Sequence, residues 1–205
     1  MVDGIQALED TAAEIETAVA LRYGILYGPG TWYAPGGAVA AALAGDPAAR
    51  LLAYLKADLS VTSFVHVADA ARAAVAALDW PAGPVNIVDD EPAPGRQWLP
   101  VLADALGVPA PQAAAGRQDW ARGASNRTAH SRGWHPEQST WREGFLHAQH
   151  GRPGSPPPAR RRAASANLAL FTRRACSLIV TLGCGAEAAA ATDRSSQWSI
   201  RHGSG

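Results

Sequence analysis

The sequence of 205 residues predicts an α/β domain followed by a segment of different composition. Amphipathic helical segments alternate with short apolar segments up to about His150, and this alternation is typical of parallel strands joined by helices. The first predicted element is a helix, whereas a doubly wound sheet normally begins with a strand and a glycine-rich turn. The pattern is therefore that of the second part of an α/β protein.

The first predicted elements follow from apolar spacing and turn residues. Residues 5–18 are expected to form a helix because apolar side chains recur at helical spacing while acidic side chains occupy the other face. The apolar run 19–27 predicts one strand, which Gly28-Pro29-Gly30 ends because Pro and Gly together favour a turn. A short helix is expected over 38–43, with Gly45 as its C-cap.

The next elements show the same alternation. Residues 63–67 and 85–88 predict strands because they are rich in β-branched and aromatic residues. Between them a helix extends to about residue 80, and Asp69 is its N-cap or first-turn acid. The helix predicted over 97–106 is closed by Gly107.

The last two predicted helices are identified by their caps. Ser125-Asn126 precedes a short helix that ends near residue 132. Thr140 precedes the helix WREGFLHAQ, because a side-chain oxygen at the cap satisfies a free backbone N–H.

Charge and composition divide the chain at residue 150. The net charge of zero combines an excess of six acidic residues over 1–150 with an excess of six arginines over the remainder. From residue 151 onward Pro, Gly, Arg, Ser and Ala dominate without sustained periodicity. We therefore expect an ordered unit over 1–150 and a disordered basic segment over 151–205.

Several functional classes are excluded by composition. No apolar run approaches the ~20 residues of a membrane helix, and the N-terminus lacks signal-peptide features. The two cysteines, Cys176 and Cys184, do not have zinc-ligand spacing, and the acidic residues 89–91 lack spaced partners for a metal. The arginines 160–162 lack an aromatic platform for nucleic acid. A cytoplasmic protein with a small-molecule partner is the expectation, without metal, nucleic acid or membrane.

Four segments together resemble the NAD-dependent epimerase/dehydratase family of extended short-chain dehydrogenases/reductases. They are LRYGILYGPG (21–30), SFVHVADAARA (63–73), GPVNIVDDEPAP (83–94) and RGWHP followed by WREGF (132–145). Each motif alone is weak, but here all four follow the family's order, and the resemblance covers roughly 5–149. It implies the C-terminal portion of a Rossmann-like doubly wound fold, with the substrate-binding subdomain.

The resemblance also implies candidate binding residues and a cofactor. Tyr23 and Tyr27 would face the nicotinamide of NAD or NADP, while Gly28, Pro29 and Arg122 would contact the substrate. Structural roles remain open for all five positions. The tyrosines can serve as core aromatics, the Gly-Pro pair as a turn, and the arginine as a solvated loop residue.

The family's catalytic motifs have no counterpart in this sequence. There is no Gly-x-x-Gly-x-x-Gly turn for the cofactor's pyrophosphate. There is also no Tyr-x-x-x-Lys pair to carry a proton, because the sole lysine, Lys56, has Leu52 four positions before it. We therefore assign no catalytic residue and expect Met1 to lie just after the position of the pair.

The substrate pattern departs from the family as well. Ile25 stands where an Asn is common, and Thr62 and Ser63 stand where an Arg often binds a diphosphate. These departures favour a smaller or uncharged substrate over a nucleotide-diphosphate sugar.

Three functions are consistent with these patterns. The chain is the substrate-binding part of an oxidoreductase or epimerase, an inactive product of a truncated or frameshifted gene, or a non-catalytic module that pairs with another chain. An incomplete sheet exposes a strand edge, so the third hypothesis includes association with a second copy.

Overall fold

Helices and short, mostly parallel strands alternate along the chain. The computed structural model of the protein describes residues 2–52, 55–150 and 178–182. The helices are α1 (Val2–Ala13), α2 (Ala38–Leu43), α3 (Val67–Ala76), α4 (Gly95–Leu106), α5 (Arg127–Ser131) and α6 (Trp141–His150). The strands are β1 (Val19–Tyr23), β2 (Ile25–Tyr27), β3 (Val61–Thr62), β4 (Phe64–His66), β5 (Gly83–Ile87), β6 (Ala93–Pro94) and β7 (Leu178–Leu182). Two 3₁₀ helices cover Pro47–Leu52 and Ala77–Asp79.

The strands form one three-stranded sheet and two strand pairs. In the larger sheet the order is β5-β1-β7, and both pairings are parallel, with Leu21 opposite Val85 on one side and Val180 on the other. Strand β2 pairs with β4 in parallel, while β3 and β6 are antiparallel. The predicted α/β class with parallel strands is therefore confirmed.

Gly24 divides the run 19–27, which the sequence analysis predicted to be one strand. The amide of Gly24 donates to Ile87 O at 3.1 Å, whereas the next amide, that of Ile25, donates to Ser63 O at 2.9 Å. The chain thus changes partner from β5 to β4 at this residue. A Cβ at Gly24 would lie 2.6 Å from Ser63 O and 2.9 Å from Val88 Cγ1, so the close approach requires glycine.

Helix α1 both begins and ends earlier than the predicted helix over 5–18, since it covers Val2–Ala13. It ends at Ala13, and turn hydrogen bonds then lead the chain into β1, including one from the Ile15 amide to Ala12 O at 3.1 Å. Ile15 is 41% exposed, so a longer helix would gain little from packing.

An aromatic cluster packs α4 and α6 against β2 and β4. Its centre is Phe64, whose ring centroid lies 5.1 Å from that of Trp98 and 5.5 Å from that of Phe145. Tyr27 and Trp141 belong to the same cluster and are fully buried. The edge-to-face contacts add to the free energy gained from burying these large rings.

A second, aliphatic cluster packs α3 against the larger sheet. Leu21 from β1 and Val85 and Ile87 from β5 are almost completely buried there, with Ala73 of α3 facing them. The small side chains of α3 allow the helix to approach the sheet closely, which sets the position of the strand ends.

Asp69 links α3 to a distant loop and does not cap the helix. His66 is the N-cap residue, with Nδ1 accepting from the Ala68 amide at 3.3 Å. Asp69, in the first turn, is fully buried and accepts from the amides of Glu137 and Gln138 at 2.9 and 3.0 Å. It also forms an ion pair with Arg72. Of the two predicted roles, the first-turn acid is confirmed and the N-cap is wrong, because the helix begins before it.

Most of the other predicted helix ends are confirmed, but the C-cap of α2 is Ala44 rather than Gly45, which follows it with φ 84°. Gly107 adopts the left-handed conformation (φ 68°) as the C-cap of α4, and Thr140 Oγ1 accepts from the Glu143 amide at 3.4 Å at the start of α6. Ser125 Oγ accepts from the backbone amide of Arg127 at 3.3 Å. Asn126 makes no cap bond, because its side-chain Nδ2 donates to Val88 O.

One strand lies within the segment 151–205, where no regular structure was expected. Leu178–Leu182 pairs in parallel with the edge of β1 that β5 leaves free. The sequence LIVTL is apolar and partly β-branched, which suits a strand, but a run of five residues gave too little periodicity to predict one. The rest of the expected disordered segment lies outside the described residues.

Candidate functional site

A cavity of about 620 Å³ opens at the carboxyl ends of β1 and β5. Tyr23 and Gly24 line it where β1 ends, and Asn86 and Val88 line it at the end of β5. Ligands of open α/β sheets bind in the crevice outside the carboxyl ends of parallel strands. The volume lies within the range of small-molecule sites, roughly 300–1,000 Å³. We call this side of the cavity the strand-end wall.

A second part of the lining, which we call the loop wall, consists of two segments distant in sequence, residues 55–63 and 118–124. Val61 donates through its amide to Ala121 O at 3.1 Å, which joins the two segments directly. Two serine side chains on the first segment add bonds to the second. Ser60 Oγ accepts from the Gln118 amide at 3.0 Å, and Ser63 Oγ accepts from the Ala124 amide at 2.8 Å.

Gly123 allows the two segments of the loop wall to approach closely. Its φ is +78°, and an added Cβ would lie 2.9 Å from Val61 Cγ1. A side chain here would be strained by its backbone conformation and would also displace Val61. The position of the neighbouring Arg122 therefore depends on this glycine.

Four aromatic residues line the cavity, namely Tyr23 at the end of β1, Tyr33, Trp98 and Trp120. Tyr33 and Trp98 are buried, and their ring centroids lie 6.1 Å apart. Trp98 Nε1 has no hydrogen-bond partner among the described residues. Trp120, on the loop wall, is 60% exposed, which leaves a large apolar face open to solvent beside the cavity.

The charged lining is mostly cationic. Arg22, Lys56 and Arg122 line the cavity together with Asp58. Arg22 forms an ion pair with Glu9 of α1, and this pairing lowers the pKa of Glu9 and raises that of Arg22.

Asp58 and Arg122 differ in their exposure and in the share of their polar side-chain atoms that form hydrogen bonds. Asp58 is buried, with one carboxylate oxygen accepting from the Ser60 amide at 2.8 Å. Arg122 is exposed and uses only Nε, which donates to Asp119 O at 3.3 Å, among the described residues. Its terminal nitrogens are therefore available to an anion.

Of the five predicted binding residues, the structure brings Tyr23 and Arg122 together at the cavity. Tyr23 lies on the strand-end wall and Arg122 on the loop wall. The hydroxyl of Tyr23 donates to Ala70 O in α3 at 3.0 Å, and burial raises its pKa to about 12. Tyr23 thus helps to shape the cavity, while its hydroxyl is bonded to α3.

The other three predicted residues lie away from the cavity lining. Tyr27 is buried in the aromatic cluster, with its ring centroid 5.2 Å from those of His66 and Phe145, and burial raises its pKa. Gly28 has φ +106°, and a Cβ there would lie 2.5 Å from His66 Nε2. Pro29 is exposed in the following loop. The binding roles given to these three residues stay predictions.

Sequence reasoning missed most of the loop wall. Lys56, Ser60, Gln118 and Trp120 lie in segments without a recognisable motif. The available signal was a tryptophan between charged and glycine residues in RQDWARG, because an aromatic residue in a polar loop often takes part in binding.

Asp89 is a buried carboxyl group near the cavity but outside its lining. It follows Val88 and is 1% exposed. Oδ1 accepts from the Glu91 amide at 3.2 Å, and Oδ2 has no hydrogen-bond partner among the described residues. The pKa of this carboxyl is raised to about 8, mainly by burial, and the negative charges of Glu91 and Asp90 act in the same direction.

The described part of the chain has neither a metal-binding cluster nor a membrane-spanning helix. Residues 2–52, 55–150 and 178–182 contain no group of three or more His, Cys, Asp or Glu side chains placed to hold a metal ion. No helix among them is long and apolar enough to cross a membrane.

A curated relative of this chain is about twice as long as the segment that matches it. Over 161 residues the chain is 43% identical to a 3-diazoavenalumate denitrifying reductase from a Streptomyces species. This match covers 70% of this chain and 51% of the relative. No family model matches the chain. The chain thus spans about half the length of the curated relative that it matches.

Solved structures with a similar fold include two UDP-glucose 4-epimerases. A UDP-glucose 4-epimerase from Thermotoga maritima, solved with UDP-glucose, has a TM-score of 0.50 and 20% identity over 73% of this chain and 50% of its own. One from Thermus thermophilus, solved with NAD, has a TM-score of 0.46 and 25% identity over 73% and 51%. The chain therefore has the Rossmann-like α/β fold of about half of the Thermotoga maritima protein, which agrees with the fold predicted from its four motifs.

Proposed function

We propose that this chain is the substrate-binding part of an NAD(P)-dependent oxidoreductase that reduces a small organic substrate in the cavity. The observation that carries the proposal is the cavity itself, which opens at the carboxyl ends of β1 and β5 and is closed by the loop wall. In this fold class that crevice is where ligands bind. The 43% identity to a protein named a reductase supports reduction rather than epimerisation.

The residues present fit only part of a dinucleotide cofactor. Tyr23 lines the crevice where the resemblance places the nicotinamide, but the 205 residues contain no glycine-rich turn for the pyrophosphate. The Tyr23 hydroxyl is bonded to α3 and its pKa is raised to about 12, so it is a poor proton donor at neutral pH. Under this proposal, cofactor binding and proton transfer require residues outside this sequence, while the chain binds and orients the substrate.

Reconstitution with the rest of the relative tests the proposal. The full 205-residue chain is mixed with the segment of the Streptomyces reductase that has no counterpart here, and NADH or NADPH consumption is followed with 3-diazoavenalumate. We expect turnover only when both polypeptides are present. Absence of turnover, although the two polypeptides associate and both are folded, would contradict the proposal.

A pair of threonine variants tests whether the cavity is the substrate site. Thr62→Trp places a large ring in the cavity, because Thr62 lines it. Thr128→Trp places the same ring on the exposed surface of α5. We expect the first variant to abolish turnover and the second to leave it unchanged. Equal activity of the two variants would place the substrate elsewhere.

A further inference from the structure

We infer that the cavity binds a planar aromatic ligand that carries a single carboxylate. This inference rests on the proposed function, which places the substrate between the strand-end wall and the loop wall. It goes further by naming the chemical class of the ligand and the two side chains that recognise it, Trp120 and Arg122.

The aromatic part of the inference follows from Trp120. Its indole lines the cavity but remains 60% exposed, whereas the other aromatic lining residues, Tyr23, Tyr33 and Trp98, are buried. An exposed indole beside a cavity gains from stacking on a flat apolar ligand, because both faces then leave water. Trp32 is also exposed, but it lies outside the cavity lining and so cannot stack on a ligand there.

The carboxylate part follows from the position and bonding of Arg122. It lies two residues after Trp120 on the same loop, and its terminal nitrogens make no hydrogen bond to the described residues. A guanidinium with free terminal nitrogens binds a carboxylate through two parallel hydrogen bonds. Since both residues line the same cavity, we place the ring of the ligand on Trp120 and its acid group at Arg122.

The balance of charge favours one negative charge on the ligand. The cations lining the cavity are Arg22, Lys56 and Arg122, and Asp58 opposes them. Glu9 neutralises Arg22 from outside the cavity, so the described lining has a net charge of about +1. This charge matches a monocarboxylate and is too small for a diphosphate, whose desolvated charges would remain unpaired.

Calorimetric titration of the full chain with three probes tests the inference. The probes are 4-coumarate, 4-coumaryl alcohol, which has the same ring without the carboxylate, and UDP-glucose. We expect saturable binding of 4-coumarate, with the alcohol and UDP-glucose each at least about tenfold weaker. Near-ultraviolet circular dichroism on the same samples checks that every variant keeps its packed aromatic residues.

Matched variants assign the two contacts. Arg122→Gln should weaken 4-coumarate about tenfold and leave the alcohol unchanged, while Arg122→Lys should restore part of the loss. Trp120→Leu should weaken both ligands about tenfold. The controls are Arg127→Gln and Trp32→Leu, which alter an exposed arginine and an exposed tryptophan outside the lining, and neither should change binding.

The possible outcomes separate the inference from the proposed function. Tighter binding of UDP-glucose than of 4-coumarate would overturn the aromatic-acid inference and leave the cavity as a substrate site. Binding of 4-coumarate that is unaffected by Arg122→Gln and Trp120→Leu would also overturn it. If the folded chain binds none of the three probes, both the inference and the assignment of the cavity are wrong.

Discussion

The two walls of the cavity are held by different interactions. On the strand-end wall, the positions of Tyr23 and Asn86 are set by the parallel ladder between β1 and β5 and by the aliphatic cluster beneath it. On the loop wall, segment 55–63 is held by the antiparallel pairing of β3 with β6 and by backbone bonds to the start of α4, whereas segment 118–124 is attached to it by backbone bonds and by two serine hydroxyls. The strand ends thus form a fixed platform, while the segment that carries Trp120 and Arg122 is held by a small number of bonds.

This difference has a functional meaning. Trp120 and Arg122 lie on the loop wall and can contact a ligand directly, whereas the polar side chains at the strand ends, Arg22 and Asn86, are bonded to Glu9 and to Ser125 O. Binding residues are often placed on loops that a rigid scaffold positions. We therefore expect changes on the strand-end wall to alter folding stability, and changes on the loop wall to alter ligand binding.

The largest effect is expected at Gly24, on the strand-end wall. Gly24→Val should lower the free energy of unfolding by about 3 kcal/mol, because its side chain would overlap Ser63 O and Val88 Cγ1. Urea unfolding measures the change. Gly4→Ala is the control, since a Cβ there meets nothing within 4 Å and the residue lies in α1. Equal stabilities of the two variants would mean that the strands do not approach as described.

The next effect concerns pH and Asp89, directly behind the strand-end wall. The pKa of this carboxyl is about 8 in the folded chain against an ordinary value of 3.8, so the folded state retains a proton that the unfolded state releases. The contribution of Asp89 to the free energy of unfolding is largest below about pH 4 and declines as the pH rises to about 8. With relaxation around the charged form, we expect a loss of about 2 kcal/mol over this interval.

Replacing the carboxyl tests that pH dependence. Asp89→Asn cannot ionise, so its free energy of unfolding should fall less between pH 4 and pH 8 than that of the unchanged chain. Asp79→Asn, on the exposed surface, should retain the full decline. Identical pH profiles for the unchanged chain and Asp89→Asn would show that folding does not raise the pKa of Asp89.

A smaller effect on stability, but a selective one on binding, is expected for Ser63 on the loop wall. Ser63→Ala removes the acceptor of the Ala124 amide and should cost about 1 kcal/mol of stability. It should also weaken 4-coumarate binding, because the segment that carries Arg122 loses an anchor. Ser131→Ala removes a comparable bond, to Thr128 O in α5, and should leave binding unchanged. Equal binding by the two variants would contradict a separate role for the loop wall.

The smallest effect on stability is expected for the ion pair between Glu9 and Arg22. Both side chains are partly exposed, so Glu9→Gln should change the free energy of unfolding by no more than about 0.5 kcal/mol. It should nevertheless tighten 4-coumarate binding a few-fold at low salt, since Arg22 would add an unpaired positive charge to the cavity. Calorimetry at two salt concentrations measures this, and weaker binding would contradict the charge balance described above.

Local chemistry explains why much of the fold could be predicted. Gly107 ends α4 because only a residue that tolerates positive φ fits there, and Thr140 begins α6 because its hydroxyl accepts a free amide hydrogen. Each signal involves residues within a turn of one another, so the sequence contains it. The same holds for the apolar strands around Phe64 and Val85, and four motifs in the right order identified the fold.

The site depended on contacts that no local pattern encodes. Tyr23 and Arg122 both came from the resemblance, and the structure places both at the cavity, but Tyr27 from the same short motif lies in the aromatic cluster. Gly24 separates the two tyrosines by moving the chain from one strand partner to another. That exchange is set by the register between segments about forty to sixty residues apart.

The sequence by itself determined the class of fold, the order of the helices and strands and most of their ends, because these depend on periodicity and on the conformational preferences of neighbouring residues. The tertiary structure alone decided which side chains meet at the cavity, how the loop wall closes over the strand ends, and that Leu178–Leu182 pairs with β1. The physical reason is that strand pairing and loop closure balance long-range contacts against chain entropy, and that balance is set by the whole fold.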